Sequence, residues 1–296
     1  MRPIAIGLLV AVVGMRVQPA ADPAAVLSGM RQALGGDAAI AAVQAFSVSG
    51  SESRELNGHP LTADIEWLCR LPDRFVKVRR VATRGGQDVR TNGFNADALI
   101  YRHQSDAPYQ PELFEHETPD ERVEREKQSV RNLKHEFSRF AIAMIGIAAV
   151  DPLDASAEAQ QKSDSKVLDV VALRSSDGYE ARLYVDAASH LPFAIAWLGP
   201  PIVVFNTTTT QIARVPRGQS PQAMLPPPPP NVPAGDPTAG LPKVLHQLRF
   251  EDFRHENGLN WPHRIVEMIG AQTFMVTKLG KFKINPAIDP KKFAVK

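Results

Sequence analysis

The chain has 296 residues with one cysteine, 25 prolines and a formal net charge of +2. A single cysteine excludes an internal disulfide, so stability in an oxidising compartment has to come from an apolar core, which a chain of this length can supply in one domain or two. Residues 1–20 hold Arg2 and Arg16 and no acid, so the remainder is formally neutral and its charge balance gives no support for a nucleic-acid partner, which would want a clustered basic face.

Met1-Arg2 precedes an apolar run, 4–13, that has the length of a signal-peptide h-region and is too short to span a bilayer. Residues 1–20 are read as a signal peptide. Small residues Ala20 and Ala21 mark the cleavage site, although Gln18 departs from the small-x-small pattern. The only cysteine, Cys69, lies far from this point, so the mature end cannot be lipidated through a thioether, and an exported, soluble, periplasmic protein is expected.

Val26, Met30, Ala33 and Leu34 recur at helical spacing until Gly35-Gly36 stops the turn, and Asp37 opens a second short helix carrying Ile40 and Val43. Phe46, Val48 and Gly50 then alternate with serines as a first strand, and Asn57-Gly58 signals a hairpin. Residues 61–71 form the cleanest strand pattern: Leu61, Ala63, Ile65, Trp67, Cys69 and Leu71 share one face, with Thr62, Asp64, Glu66 and Arg70 on the other. Pro72-Asp73 turns the chain, 75–81 runs back with cations interleaved, and Gly85-Gly86, Asn92-Gly93 and 99–101 continue an up-and-down meander.

Thr118-Pro119-Asp120-Glu121 encodes a helix start: a capping hydroxyl, proline at the first helical position, and a glutamate three residues after the cap. Val123, Val130, Leu133, Phe137, Phe140 and Met144 keep one face of the long helix that follows, and its tail, 140–150, is apolar all round and demands burial or a ligand. The helical segment is placed over 118–160. From Lys166 the sheet resumes, with turns at Asp177-Gly178 and strands over 179–186 and 191–198. Ten of the prolines fall in 215–242, including the run 226–230, so this stretch is read as an extended, solvated insertion, since each proline removes a ladder donor. The last part, 245–285, is a run of antiparallel strands with Asn257-Gly258 as its hairpin turn.

The Gly-Gly-Asp after the first helix, the sequence Leu71-Pro72-Asp73-Arg74-Phe75, the pairs Val185-Asp186 and Leu191-Pro192, and the closing Gly258-Leu259-Asn260-Trp261-Pro262-His263-Arg264 with Asn285-Pro286 and Asp289-Pro290 resemble the LolA/LolB-like outer-membrane lipoprotein-sorting superfamily. The resemblance spans most of residues 24–296 and rests on turn-defining motifs. It implies an α+β fold: a strongly curved antiparallel half-barrel, an open β-barrel whose concave face is plugged by helices around a hydrophobic cavity. One such domain would cover 22–296, with a helical lid at 118–160 and the Pro-rich loop insertion at 215–242.

The candidate ligand-binding wall is Leu61, Ile65, Trp67 and Phe75 on the sheet, Phe137, Phe140 and Met144 on the lid helix, and Trp261 and Phe274 near the C-terminus. Trp67 and Trp261 can each be either packed core or cavity wall. Cys69, on an apolar strand face, is read as a small buried hydrophobe. His135-Glu136 lacks the second histidine of a helical zinc-protease motif, and neither Gly-x-Ser-x-Gly nor a phosphate loop occurs, so no catalytic residue, metal or cofactor is assigned. Lys281, Lys283, Lys291 and Lys292 read as a solvated edge, with contact to anionic lipid as the alternative. The expected function is a non-enzymatic periplasmic carrier or chaperone for lipoprotein acyl chains or other lipids, with an envelope protein as donor or acceptor and peripheral membrane contact at most. The alternative is an envelope sensor or structural module that binds another protein through the same fold.

Overall fold

The computed structural model describes residues 21–56, 59–83, 86–106, 117–146, 153–163, 165–201 and 241–295. The expected signal peptide, nearly all of the Pro-rich stretch, the Asn57-Gly58 turn and Gly85 lie outside the described residues. The elements in chain order are α1 (Pro23–Leu34), α2 (Asp37–Ala41), β1 (Ala45–Leu56), β2 (His59–Arg70), β3 (Arg74–Thr83), β4 (Gly86–Asn95), β5 (Ala98–Ser105), α3 (Pro119–Ile145), β6 (Asp154–Ser163), β7 (Lys166–Arg174), β8 (Glu180–Asp186), β9 (Pro192–Gly199), β10 (Val244–Glu256), β11 (Leu259–Ile269) and β12 (Gln272–Ile284), followed by a 3-10 turn at Pro290–Phe293.

The twelve strands of the described residues form one sheet in the order β5-β4-β3-β2-β1-β12-β11-β10-β9-β8-β7-β6. Two meanders, β1–β5 and β6–β12, are therefore joined edge to edge by the antiparallel pair β1 and β12, in which Phe46 stands opposite Ile284 and Val48 opposite Phe282. The sheet is not closed: β5 and β6 are its free edges, and α3 is the connection between them. This is the expected α+β open half-barrel. Glycine stands at two points where neighbouring strands approach closely. A Cβ on Gly50 would stand 2.0 Å from the Lys278 carbonyl oxygen, and one on Gly93 would stand 2.1 Å from that of Phe75. Gly50 also sits at a shift of register against β12.

The inward face carries the main core. On β2, Ile65, Trp67 and Cys69 point inward and pack with Phe46, Phe75, Phe94, Trp261 and the α3 residues Phe137, Phe140 and Met144. Val26, Met30 and Leu34 of α1 join them, as the helical spacing predicts. Arg31 of α1 donates from Nη1 to the Gly146 carbonyl at 2.9 Å, tying the first helix to the end of α3. A second, smaller cluster lies on the outward face, where Leu68, Val76, Val78 and Ile100 are covered by Ile288 and Phe293 of the C-terminal segment. That segment is pinned by Arg102, whose Nη2 donates to the Lys292 carbonyl at 2.7 Å.

Local chemistry sets the ends of α3. The Thr118 hydroxyl accepts from the Glu121 amide at 3.3 Å while the Glu121 carboxylate accepts from the Thr118 amide at 2.8 Å, a complete capping box. At the other end Gly146 takes a left-handed conformation with φ of 60° and donates back to Ile142. The helical segment expected over 118–160 is corrected accordingly: the helix ends at Ile145, and Asp154–Ser163 is the edge strand β6. Its sequence, rich in Ala, Glu, Gln and Lys, lacks an apolar alternation because β6 is an edge strand whose residues are mostly exposed.

Candidate functional site

The inward face changes character along the strands. Phe46, Val48, Gly50, Glu52 and Arg54 of β1 share it by strand alternation, and so do Phe75, Lys77 and Arg79 of β3 and Trp261, His263, Ile265 and Glu267 of β11. One end is thus aromatic and solid, and the other is charged. Between them lies a cavity of about 380 Å³, bounded by Trp67, Lys77 and Glu52, by Thr277, the register partner of Glu52, with Met275 on β12, and by Leu248, Ile265 and Glu267 of β10 and β11. Asn132, Glu136, Arg139 and Phe140 of α3 face it, and Trp197, Pro200, Pro201 and His246 close its rim.

Of the nine expected wall residues, Trp67 and Phe140 line this cavity, their rings 4.6 Å apart. Ile65, Phe75, Phe137, Met144 and Trp261 are buried in the core beneath it. Phe137 stacks on Phe75 at 4.8 Å, and Trp261 stacks on Phe282 at 4.7 Å with its Nε1 donating to the Glu256 carbonyl at 3.1 Å. Leu61 and Phe274 are only partly buried and belong to neither cluster, and Phe274 lies 5.6 Å from the Arg54 guanidinium. Trp67 therefore holds both expected positions at once: it is 1% exposed and still forms part of the cavity wall.

The charged groups were not anticipated, and the cavity is amphipathic rather than purely hydrophobic. Lys77 Nζ is 3.0 Å from Glu52 and 3.6 Å from Glu136, and Arg79 Nε is 3.1 Å from the other Glu52 oxygen. Burial alone would lower the Lys77 pKa, but the carboxylates of Glu136 and Glu52 more than reverse this and raise it. Among the described residues Glu267 has no such ion-pair partner. Burial pushes its pKa up to about 6, against the opposing pull of Lys77. Arg139 is half-buried, with its guanidinium 3.9 Å from the centre of the Trp197 ring and 5.6 Å from that of Tyr179. Desolvation lowers its pKa, and its buried Nε has no hydrogen-bond acceptor among the described residues. Trp197 lies beside His246, its register partner on β10, which in turn contacts the Pro200 carbonyl at 2.8 Å.

A second cluster, Ser175, Asp177 and His135, has the residue types of a hydrolase but not the geometry. His135 Nε2 is 3.0 Å from one Asp177 oxygen, while the Ser175 hydroxyl donates to the other, so the aspartate stands between hydroxyl and imidazole and no nucleophile–base pair exists. Its effect is to fasten α3 to the β7–β8 turn. Among the described residues no three of His, Cys, Asp and Glu converge as metal ligands, and no helix is long and apolar enough to cross a membrane.

The asparagines of the recognisable motifs have structural work. Asn257-Gly258 takes positive φ at both positions, 54° and 82°, as a tight hairpin requires. Asn260 Nδ2 donates to the Ala33 carbonyl at 2.6 Å, and Asn285 accepts from the Gln44 and Ala45 amides and donates to Ala42. These bonds close the two meanders on the α1–α2 segment.

No family model matches the sequence, and no curated protein sequence matches it. Among solved structures, a LolA superfamily protein from Nitrosomonas europaea is similar at 11% identity and a TM-score of 0.50, over 93% of this chain and 98% of that one. A DUF1329 family protein from Desulfovibrio piger matches at 10% identity over 93% and 98% of the two chains, with a TM-score of 0.44. With its open twelve-stranded sheet and concave helices, the chain has the LolA-like fold.

Proposed function

We propose that the protein is a non-enzymatic carrier that shelters an acyl chain between the concave sheet and α3, acting in the periplasm after removal of residues 1–20, with 22–296 as its single domain. The observation that carries this reading is the cavity where the aromatic core gives way, with Trp67, Phe140, Leu248, Ile265 and Met275 in its wall. A cavity of about 380 Å³ lies at the small end of ligand sites and holds on the order of a dozen water-sized groups at roughly 30 Å³ each. Burying ten methylenes at about 0.8 kcal/mol each gives roughly 8 kcal/mol before ordering costs, which corresponds to micromolar affinity at best. That is an affinity suited to handover, with an envelope protein as donor or acceptor.

Titration with a medium-chain fatty acid should change tryptophan emission saturably, and Trp67→Phe should remove most of the change while the protein stays folded. Absence of saturable binding to any amphiphile would defeat the carrier reading.

A further inference from the structure

The charged half of the cavity is unevenly balanced. Lys77 shares its charge with Glu52 and Glu136, and Arg79 is also held by Glu52. Arg139 is different: it projects from α3 into the same space, rests on the face of Trp197, and among the described residues makes neither a hydrogen bond nor an ion pair. A guanidinium carries five donors in a planar fork that matches a carboxylate or phosphate, and stacking on an indole satisfies none of them. Partial burial of that charge without an acceptor is unfavourable, and it is compensated when an anion arrives.

We propose that Arg139 anchors the anionic head of a single-chain amphiphile, whose tail lies along Trp67, Phe140, Leu248 and Ile265. The assignment rests on the carrier reading above and narrows its cargo. The volume admits one short chain rather than several, and the guanidinium selects a carboxylate or phosphate over a neutral head. Glu267 sets the pH at which this works. The charged and titratable groups around it are Glu52 and Arg54 of β1, Lys77 of β3, Glu136 and Arg139 of α3, and His246 of β10. An anion beside Arg139 meets the ionised Glu267 as a like charge, so binding strengthens as Glu267 takes up a proton near pH 6.

The test is calorimetric titration of the full mature chain at about pH 7.5 with laurate, dodecyl phosphate and neutral monolaurin. Arg139→Met should weaken the two anions about thirtyfold or more and leave monolaurin unchanged. Glu267→Gln should tighten both anions by about tenfold, a gain that damage to the fold cannot produce. Binding of one anion alone would assign the anchor to carboxylates or to phosphates. Equal loss of all three ligands in Arg139→Met, or no gain in Glu267→Gln, would overturn the anchor and leave the carrier reading standing. Failure of the wild-type chain to bind any of the three would remove the carrier reading itself.

Discussion

Replacing Glu267 with glutamine should make the protein more stable at neutral pH, although it removes a charged residue from a charged cluster. Glu267 faces the cavity with no ion-pair partner among the described residues, and burial raises its pKa from 4.5 to about 6. A raised carboxyl pKa means that the folded chain holds the proton more tightly than the unfolded chain. The stability this contributes is fully present below about pH 4.5 and is lost as pH rises through about 6. Above that window the folded protein carries a desolvated carboxylate at a cost of roughly 2 kcal/mol. Glutamine keeps the shape and removes the ionisation. Urea unfolding of both proteins across this range should therefore show their midpoints close together in acid and separating as pH rises, with the variant ahead by up to roughly 2 kcal/mol in neutral buffer. A variant less stable than wild type in neutral buffer would mean that the Glu267 carboxylate is paired, and that the charge inventory of the cavity is wrong.

Three further substitutions probe the same architecture. Trp67→Ala should cost roughly 3–5 kcal/mol in denaturant unfolding, since the ring is 1% exposed and packs on Phe140; a loss below about 1 kcal/mol would show that it is not a packed wall. Lys77→Met leaves Glu52 and Glu136 facing each other across the cavity and should destabilise by about 3 kcal/mol, with Glu52→Gln recovering part of the loss in a double-mutant cycle; zero coupling would contradict the network. Gly50→Ala drives a Cβ against the Lys278 carbonyl at the junction of β1 and β12 and should lower stability by about 2 kcal/mol or more, visible as a lower thermal midpoint; an unchanged midpoint would show that the close approach is not required.

Where local chemistry decides, the residues announced the structure. The capping box at Thr118, the Asn257-Gly258 hairpin and the alternating face of β2 were legible because each depends on neighbours within a few positions. Leu68 breaks the β2 alternation, and its reason lies more than two hundred residues away, in Ile288 and Phe293 folding back over the outward face. The strand β6 was hidden because an edge strand needs no apolar period, and its helix-forming residues are overridden by pairing with β7. The charged half of the cavity leaves a trace in the strand periodicity. Glu52 continues the inward series of Phe46, Val48 and Gly50, and Glu267 continues that of Trp261, His263 and Ile265. Asn132, Glu136 and Arg139 likewise form a helical stripe beside Phe140. What periodicity could not supply is the long-range pairing of β1 with β12, which brings those stripes to one cavity.

The central claim, that the concave cavity carries an acyl chain, is tested most directly by mass spectrometry of the organic extract from protein purified gently from its native host. About one amphiphile per protein chain is expected, with a single acyl chain and an acidic head. Extracts containing no bound amphiphile, from preparations in which another protein is retained in stoichiometric amount, would contradict it.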